Sequence, residues 1–245
     1  IDPLPLGRGR VRVGVAAPID AMDRMDDGIR GLADLTPIPN AWVRDDFAAY
    51  RNRLAAALRP AGSVFAAHHV VDLVREKLPA NGILTCDIGA HTHQVGTQWQ
   101  TDEPWTCLTT NGWSSMGFGI PAAYAARLVH PQSAVLAVIG DGGFQMTVGE
   151  LAMARRLNLA VPVIVLNDGW LGLMKVKQEH GDYPLHGVRL GEPVESPPHY
   201  FGVPCRPARN LYELSDALDW AMSLGGPSVV EAFIDVAPYS QTVFD

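Results

Sequence analysis

The sequence predicts an α/β domain whose core is a parallel sheet covered by helices on both faces. Two kinds of observation carry that prediction. Short, almost continuous β-branched runs, such as Ala134-Val-Leu-Ala-Val-Ile139 and Val161-Pro-Val-Ile-Val-Leu166, suit strands buried on both sides. Between such runs lie stretches of helical periodicity about 10–15 residues long, the length a parallel crossover needs.

Taken in order, residues 1–60 differ from the rest. Ile1–Ala17 carries Pro, Gly and Arg around β-like pieces such as Val11-Arg-Val-Gly-Val15, and Pro37-Ile-Pro39 breaks the chain before a helical stretch, Asp46–Leu58, closed by Pro60. This segment is too small for a core of its own, so the predicted organisation is a tail and linker over 1–60 and one domain over 61–245. Within that domain Val64–Lys77 has helical spacing, Ile83–Ile88 is a short apolar run closed by Gly89, and Met116–Val129 is an Ala-rich helix. Thr147–Leu157 is predicted as a helix with a Thr147/Glu150 capping box. Leu171–His180 follows the 161–166 run, Asn210 and Glu213 cap a helix that stops at Gly225-Gly226, and Ser228–Ile234 forms the last strand.

Composition narrows the function. The 245 residues are 47% hydrophobic, enough for a sizeable core, and the net charge of −7 argues against a nucleic-acid-binding surface. Arg8-Gly-Arg10-Val-Arg12 suits a solvated strand edge. Cys86, Cys107 and Cys205 are too sparse for a disulfide framework or a metal cluster, and Cys86 suits a small core position. No apolar run reaches the ~18–20 residues of a membrane span. With no signal peptide, a cytoplasmic location is expected. The first residue is Ile1 rather than Met, which suggests a chain cut from something longer.

The chemistry concentrates after two strands. Gly140-Asp141-Gly142-Gly143 follows one buried run and Asn167-Asp168-Gly169 follows the next. In a parallel sheet ligands gather at the carboxyl ends of strands, so the two turns should be neighbours. Glycines let backbone approach an anion closely, and the helix expected from Thr147 would add its positive end. An aspartate inside such a loop repels phosphate unless a cation lies between them. Mg²⁺ suits that place, taking one or two protein carboxylates and completing its octahedron with phosphate and water. Asp141 would give a carboxylate oxygen, Asn167 its amide oxygen, and a backbone carbonyl near Gly169 a third ligand. An isolated Gly-Asp-Gly is more simply a tight turn; two strand-end loops in register favour a metal–diphosphate site.

Gly140-Asp-Gly142, then 24 residues (143–166), then Asn167 resembles the thiamine diphosphate signature. Gly140–Thr147 and Ser115–Ala123 are similar to the acetolactate synthase-like branch of the decarboxylase superfamily. The likeness covers most of 60–245, which resembles that family's diphosphate-binding (PP) domain, while residues 1 to about 35 resemble the last strand and helix of its central domain. The resemblance implies thiamine diphosphate and Mg²⁺ as cofactors, with Asp141, Asn167 and the carbonyl of Gly169 as metal ligands. It implies that Gly140, Gly142, Gly143 and the backbone of Trp170, Leu171 and Gly172 hold the diphosphate. Asp87-Ile-Gly-Ala-His91-Thr92 stands where the family carries Asp-Val-Gly-Gln-His-Gln, so Ala90, His91 and Thr92 would touch the diphosphate, Ala90 without the usual amide. Met116 matches the residue that wedges the cofactor into its V shape, and the Ser114 carbonyl, often a Gly carbonyl in the family, would accept from the 4′-amino group.

Other residues are open to plainer explanations. His91 and His93, two apart, would suit a metal pair on a strand, although solvated or core histidines explain them as well; His68-His69 carries no signal. Lys175, Lys177 and Glu179 either line a substrate pocket or face water. By register Lys177 stands where anabolic acetohydroxyacid synthases carry a tryptophan that selects 2-ketobutyrate. This departure leaves a carboligase, a lyase or a simple decarboxylase acting on 2-keto acids or aldehydes.

In the family the catalytic acid is a glutamate from a separate pyrimidine-binding (PYR) domain, usually on a neighbouring subunit. None of the eight glutamates here, Glu76 to Glu231, sits in that pattern, and Glu150 is expected to cap a helix. The expectation is half of an active site with no catalytic residue of its own, paired with a PYR-domain chain in a dimer or tetramer of halves. Nucleic acid and membrane are not expected partners. The competing classes are a non-catalytic cofactor-binding or assembly subunit and a nucleotide-binding α/β protein. Against the latter there is no Gly-x-Gly-x-x-Gly after the first strand and no phosphate-loop Gly-Lys-Ser/Thr.

Overall fold

A computed structural model of the chain describes residues 44–62, 64–101, 103–110, 112–191 and 195–243. The β-like pieces, the proline break and the central-domain-like segment expected before residue 44 lie outside them. The chain divides into two compact units, residues 1–49 and 50–245. The sheet lies wholly in the second.

In chain order the described residues form α1 (Arg44–Ala57), α2 (Ala67–Lys77), β1 (Ile83–Cys86), α3 (Ala90–Gln98), β2 (Cys107–Thr109), α4 (Gly119–Val129), β3 (Val135–Gly140), α5 (Asp141–Thr147) and α6 (Glu150–Leu157). They continue with β4 (Pro162–Asn167), α7 (Gly172–His180), β5 (His199–Tyr200), β6 (Val203–Ala208), α8 (Leu211–Ser223), β7 (Ser228–Phe233) and α9 (Tyr239–Thr242). The sheet runs β2-β1-β3-β4-β7-β6-β5, parallel throughout except for β5, which returns antiparallel to β6. This is the α/β architecture the sequence predicts, a parallel sheet flanked by helices on both faces.

The β-branched runs are buried because alternate side chains serve two separate cores. Leu136 and Val138 of β3, Ile164 and Leu166 of β4 and Val230 of β7 pack with Val70, Val74, Leu214 and Leu218 of α2 and α8. Val135, Ala137 and Ile139, Val163 and Val165, and Val229 face Ile120, Tyr124 and Leu151 of α4 and α6. Burying each Val, Leu or Ile side chain contributes about 1.5–3 kcal/mol. Cys86 lies in the first core, as its apolar neighbours suggest.

The predicted cap of α8 is present. The Asn210 side chain accepts from the Glu213 N–H at 2.9 Å, and the Glu213 carboxylate accepts from the Arg209 N–H at 2.8 Å. The predicted capping box at Thr147 is not. Thr147 ends α5 and its hydroxyl donates back to the Gly143 carbonyl, so α6 starts afresh after Gly149 and Glu150 caps nothing. A helix of i−4 bonds already running from Asp141 leaves Thr147 in a helical turn rather than in the extended conformation a cap requires. Three strands, β2, β5 and β6, escaped the sequence reading. β2 and β5 are short edge pieces, and β6 carries two prolines that weaken its strand signal.

Candidate active site

The site grows out of the strand order. From β1 the chain goes to β2 on one side and then to β3 on the other, so a crevice opens beyond the carboxyl ends of β1 and β3. Gly140 of β3 pairs with Leu166 of β4, which brings the two glycine-bearing turns together as the sequence anticipates. Helix α5 begins at Asp141 itself rather than near Thr147. Its first-turn N–H groups therefore lie at the turn, without intrahelical acceptors.

Asp141 is the hinge of the geometry. Its Oδ1 accepts from the Gly142 N–H and its Oδ2 from the Gly169 N–H, each at 2.8 Å. The Asn167 amide nitrogen donates to Glu231 Oε1 at 2.7 Å, which leaves the amide oxygen as its remaining polar atom. The Gly169 carbonyl accepts from the Leu190 N–H at 2.8 Å and keeps a second lone pair.

Two cavities meet at this aspartate. One, of about 200 Å³, is lined by Ala90, His91, Ser114, Met116, Gly140, Asp141, Gly142, Gly143, Trp170, Leu171 and Gly172 among others. The second, of about 340 Å³, is lined by Asp141, Asn167 and Gly169 together with Glu231, Tyr200 and Leu190. Asp141 thus forms part of both walls, with the expected diphosphate residues on one side and the expected metal ligands on the other. Thr92 lines neither cavity; its hydroxyl donates to the Asp87 carbonyl at 2.6 Å and accepts from the Gly89 N–H at 2.9 Å, which ties the turn into α3.

Beside the first cavity a buried latch holds the crevice shape. The Asp87 carboxylate, fully buried after β1, meets His91 Nε2 at 2.8 Å and accepts the Gly117 N–H at 2.8 Å. Burial works against a charged His91, but Cys86 and Asp87 beside it outweigh that and raise its pKa well above the usual range. A Cβ on Gly143 would collide with the Asp87 carboxylate and lie 3.1 Å from the Gly117 nitrogen, so the second glycine of the pair is required by packing. Ser114 adopts φ +57°, a conformation that costs a residue with a Cβ more than glycine, beside a 91% exposed Trp113. His93 lies two residues beyond His91 on α3, roughly 200° around the helix, so the two do not form a metal pair.

The electrostatics of the turns are unusual. Burial pushes Asp141 up to about 6, against the pull of its N–H donors. Asp168 is pushed up to about 8, by burial first and then by the negative charge of Asp141. Tyr239 of α9, buried against the same cavity, is raised in turn by burial and both carboxylates. The sequence reading passed over Asp168, Tyr239, Glu231 and the Asp87 carboxylate as site residues. Glu231 left a trace, a lone acid inside an otherwise apolar buried strand. Lys175 pairs with Glu179 at 2.5 Å and lies 5.5 Å from the Trp170 ring, while Lys177 is exposed; none of the three lines the cavity.

Residues 188–190 lie along the second turn. Leu171 donates its N–H to the Val188 carbonyl at 2.7 Å, and the Arg189 guanidinium stands 5.4 Å from the Trp170 ring. Leu190 and Met116 both approach Gly142, where a Cβ would meet the Met116 and Leu171 side chains at 2.9 Å.

The donors fit a hard divalent cation and a diphosphate. Carboxylate, amide and carbonyl oxygens are the ligand types Mg²⁺ prefers. Asp141 and Asp168 accept hydrogen bonds from backbone N–H groups, and burial raises both despite the pull of His91 and, at Asp168, of Lys175, an arrangement a divalent cation would relieve. Gly142 leaves room where a side chain would intrude. No group of three or more His, Cys, Asp or Glu suited to a metal exists among the described residues, so a metal here would rest on the mixed set.

Residues 87–232 match the family described as thiamine pyrophosphate enzyme, C-terminal TPP binding domain. The chain is 28% identical over 186 residues to the acetolactate synthase large subunit of Haemophilus influenzae, covering 73% of this chain and 32% of that protein. It is 23% identical over 256 residues to acetolactate synthase 3, chloroplastic, of Brassica napus, covering 99% of this chain and 39% of the relative. Against the Lactococcus lactis large subunit it is 36% identical over 109 residues, 44% of this chain and 19% of that one. The chain therefore spans only about a fifth to two fifths of these relatives. It belongs to the thiamine pyrophosphate (thiamine diphosphate) enzymes, as the C-terminal cofactor-binding domain of an acetolactate synthase-like member.

Proposed function

We propose that this chain is the diphosphate- and Mg²⁺-binding half of a thiamine diphosphate enzyme that cleaves or forms carbon–carbon bonds of 2-keto acids. The single observation behind the metal is the place of Asp141, on the wall shared by a cavity lined with Gly142 and Gly143 and one lined with Asn167 and Gly169. In this reading Asp141, Asn167 and the Gly169 carbonyl hold the cation. Gly140, Gly142, Gly143 and the backbone of Trp170, Leu171 and Gly172 face the diphosphate, with Ala90, His91 and Thr92 behind them. Met116 and the Ser114 carbonyl orient the rings. When bound, the cofactor supplies the nucleophilic carbon and the electron sink for the reaction.

The lining contributed by Leu171, Leu173, Met174 and Met116 is apolar, which excludes water from the reacting carbon. None of the glutamates of this chain sits in the sequence pattern of the family's catalytic glutamate, so in this reading that residue comes from a PYR-domain chain in an assembly of at least two copies of each half. The relatives being acetolactate synthases favours carboligation over lyase or simple decarboxylase chemistry.

Calorimetric titration of the chain with thiamine diphosphate tests the cofactor assignment. Binding that requires Mg²⁺, and that Asp141→Ala abolishes, supports it; affinity indifferent to EDTA and to that substitution overturns the metal. Mixing with a PYR-domain chain tests the rest. Turnover of a 2-keto acid only in the mixture is expected, and full turnover by this chain alone sinks the half-site reading. Cofactor binding without turnover in any mixture indicates a binding or assembly subunit.

A further inference from the structure

Strand β7 places a buried carboxylate where the metal reading leaves one question open. An asparagine amide can offer a cation either its oxygen or, after a half-turn about its last bond, its NH₂ group, and only the oxygen binds. Asn167 is the last residue of β4, and Val165 of that strand is in register with Glu231 of β7, so Asn167 and Glu231 are diagonal neighbours on one face. Their contact is the 2.7 Å bond from Asn167 Nδ2 to Glu231 Oε1. Glu231 is only 6% exposed, and its other oxygen accepts from the Tyr200 hydroxyl at 3.3 Å. An ionised carboxylate accepts and cannot donate, so it tolerates the amide in one orientation only.

We infer that Glu231 is a positioning residue: by accepting from the Asn167 NH₂ it fixes the amide oxygen toward the cation shared with Asp141. The inference rests on the metal reading above. Tyr200 is itself held, its ring edge-on to Phe144 of α5 with centroids 5.1 Å apart, so the chain Phe144–Tyr200–Glu231–Asn167 ties the amide back to the helix that begins with Asp141. Partners that orient a metal's own ligands typically change affinity 10–100-fold when removed.

The test is Mn²⁺ affinity of the full chain by paramagnetic resonance, with thiamine diphosphate present. Glu231→Met removes the acceptor at similar length and is expected to weaken Mn²⁺ roughly 10–100-fold. Glu231→Gln can turn either an oxygen or an NH₂ toward the Asn167 amide and no longer enforces one orientation, so its Mn²⁺ affinity is expected to fall between those of the unaltered chain and Glu231→Met. Should Glu231→Met fold poorly, a near-isosteric swap decides. Asn167→Asp sets two carboxylates against each other and weakens binding, and adding Glu231→Gln to it restores a donor–acceptor pair and recovers most of the affinity. Unchanged Mn²⁺ affinity in Glu231→Met, or a swap no tighter than Asn167→Asp alone, overturns the inference. If the unaltered chain itself binds no Mn²⁺, the metal reading fails first; Asp141→Ala losing Mn²⁺ beside a normal Glu231→Met fails the positioning role alone.

Discussion

Asp87 and Asp141 follow neighbouring strands of the same sheet, both are buried, and they are treated in opposite ways. Asp87 has a cationic partner within the fold: His91 on one oxygen, with the Gly117 N–H on the other. Asp141, with Asp168 beside it, has only N–H donors, and its pKa is pushed up to about 6. A buried carboxylate costs several kcal/mol unless it is paired. The pairing at Asp87 lets it serve as a latch that shapes the crevice. The lack of an ion-pair contact at Asp141 leaves a demand that, in the proposed reading, a cation would satisfy. Burial therefore does not distinguish scaffold from site in this crevice; the partner does.

The largest effect is expected at the latch. Asp87→Ala leaves a buried His91 and the Gly117 N–H without their acceptor and should destabilise the fold by about 3–5 kcal/mol. That corresponds to a melting temperature lower by on the order of 10 °C, checked by thermal denaturation. A loss under 1 kcal/mol would make Asp87 no more than a surface-like ion pair and break the comparison.

His68 of α2 extends the comparison to a buried group without an anion in contact. It is 4% exposed, and burial, with His69 adding to it, pushes its pKa down to about 4. Between pH 6.5 and 4 the unfolded chain takes up a proton that the folded chain refuses. Its contribution is therefore fully present above pH 6.5 and lost as pH falls toward 4, by on the order of 2 kcal/mol. Urea midpoints across that window should flatten in His68→Leu; an unaltered acid limb would show that His68 takes no part. His91, whose pKa moves the other way beside Asp87, shows how a partner reverses the sign.

Asn210→Ala removes one N-cap far from the crevice and should cost about 1 kcal/mol in chemical denaturation, with no change in cation binding. It calibrates what an ordinary local hydrogen bond is worth in this fold.

The smallest effect on stability is expected at Asp141, on which the proposed metal site turns. Asp141→Asn discharges a carboxylate that burial already disfavours, so without cofactor the melting temperature should hold or rise, by less than about 1 kcal/mol equivalent. The rise in melting temperature on adding Mg²⁺ and thiamine diphosphate should vanish in the same variant. A large loss of stability without ligand would place Asp141 among the latches and erase the contrast.

The fold was legible where side chains repeat with the period of their element. Val135–Gly140 and Pro162–Asn167 are buried on both faces, and such strands leave nearly unbroken apolar runs. β6 escaped because Pro204 and Pro207 mask a strand that needs few backbone donors near the edge. The Thr147 cap misled because a capping box and a helix crossing Thr147 look alike in one dimension. In the site, Gly140–Gly143 and Asn167 announce themselves by spacing after strands. Asp168, Glu231 and Tyr239 do not, since what distinguishes them is a neighbour supplied by a different strand or helix.

From the order of residues alone come the alternation of buried strands with helices, the two glycine-bearing turns and an aspartate–asparagine pair able to hold a hard cation. These are local properties, set by period and residue chemistry, and they survive without knowledge of any contact. Only the folded chain decides that Asp87 closes on His91 while Asp141 accepts from backbone N–H groups, and that Glu231 reaches the Asn167 amide. Those outcomes depend on which strands lie side by side, and strand order is set by packing across the whole sheet rather than by any one segment.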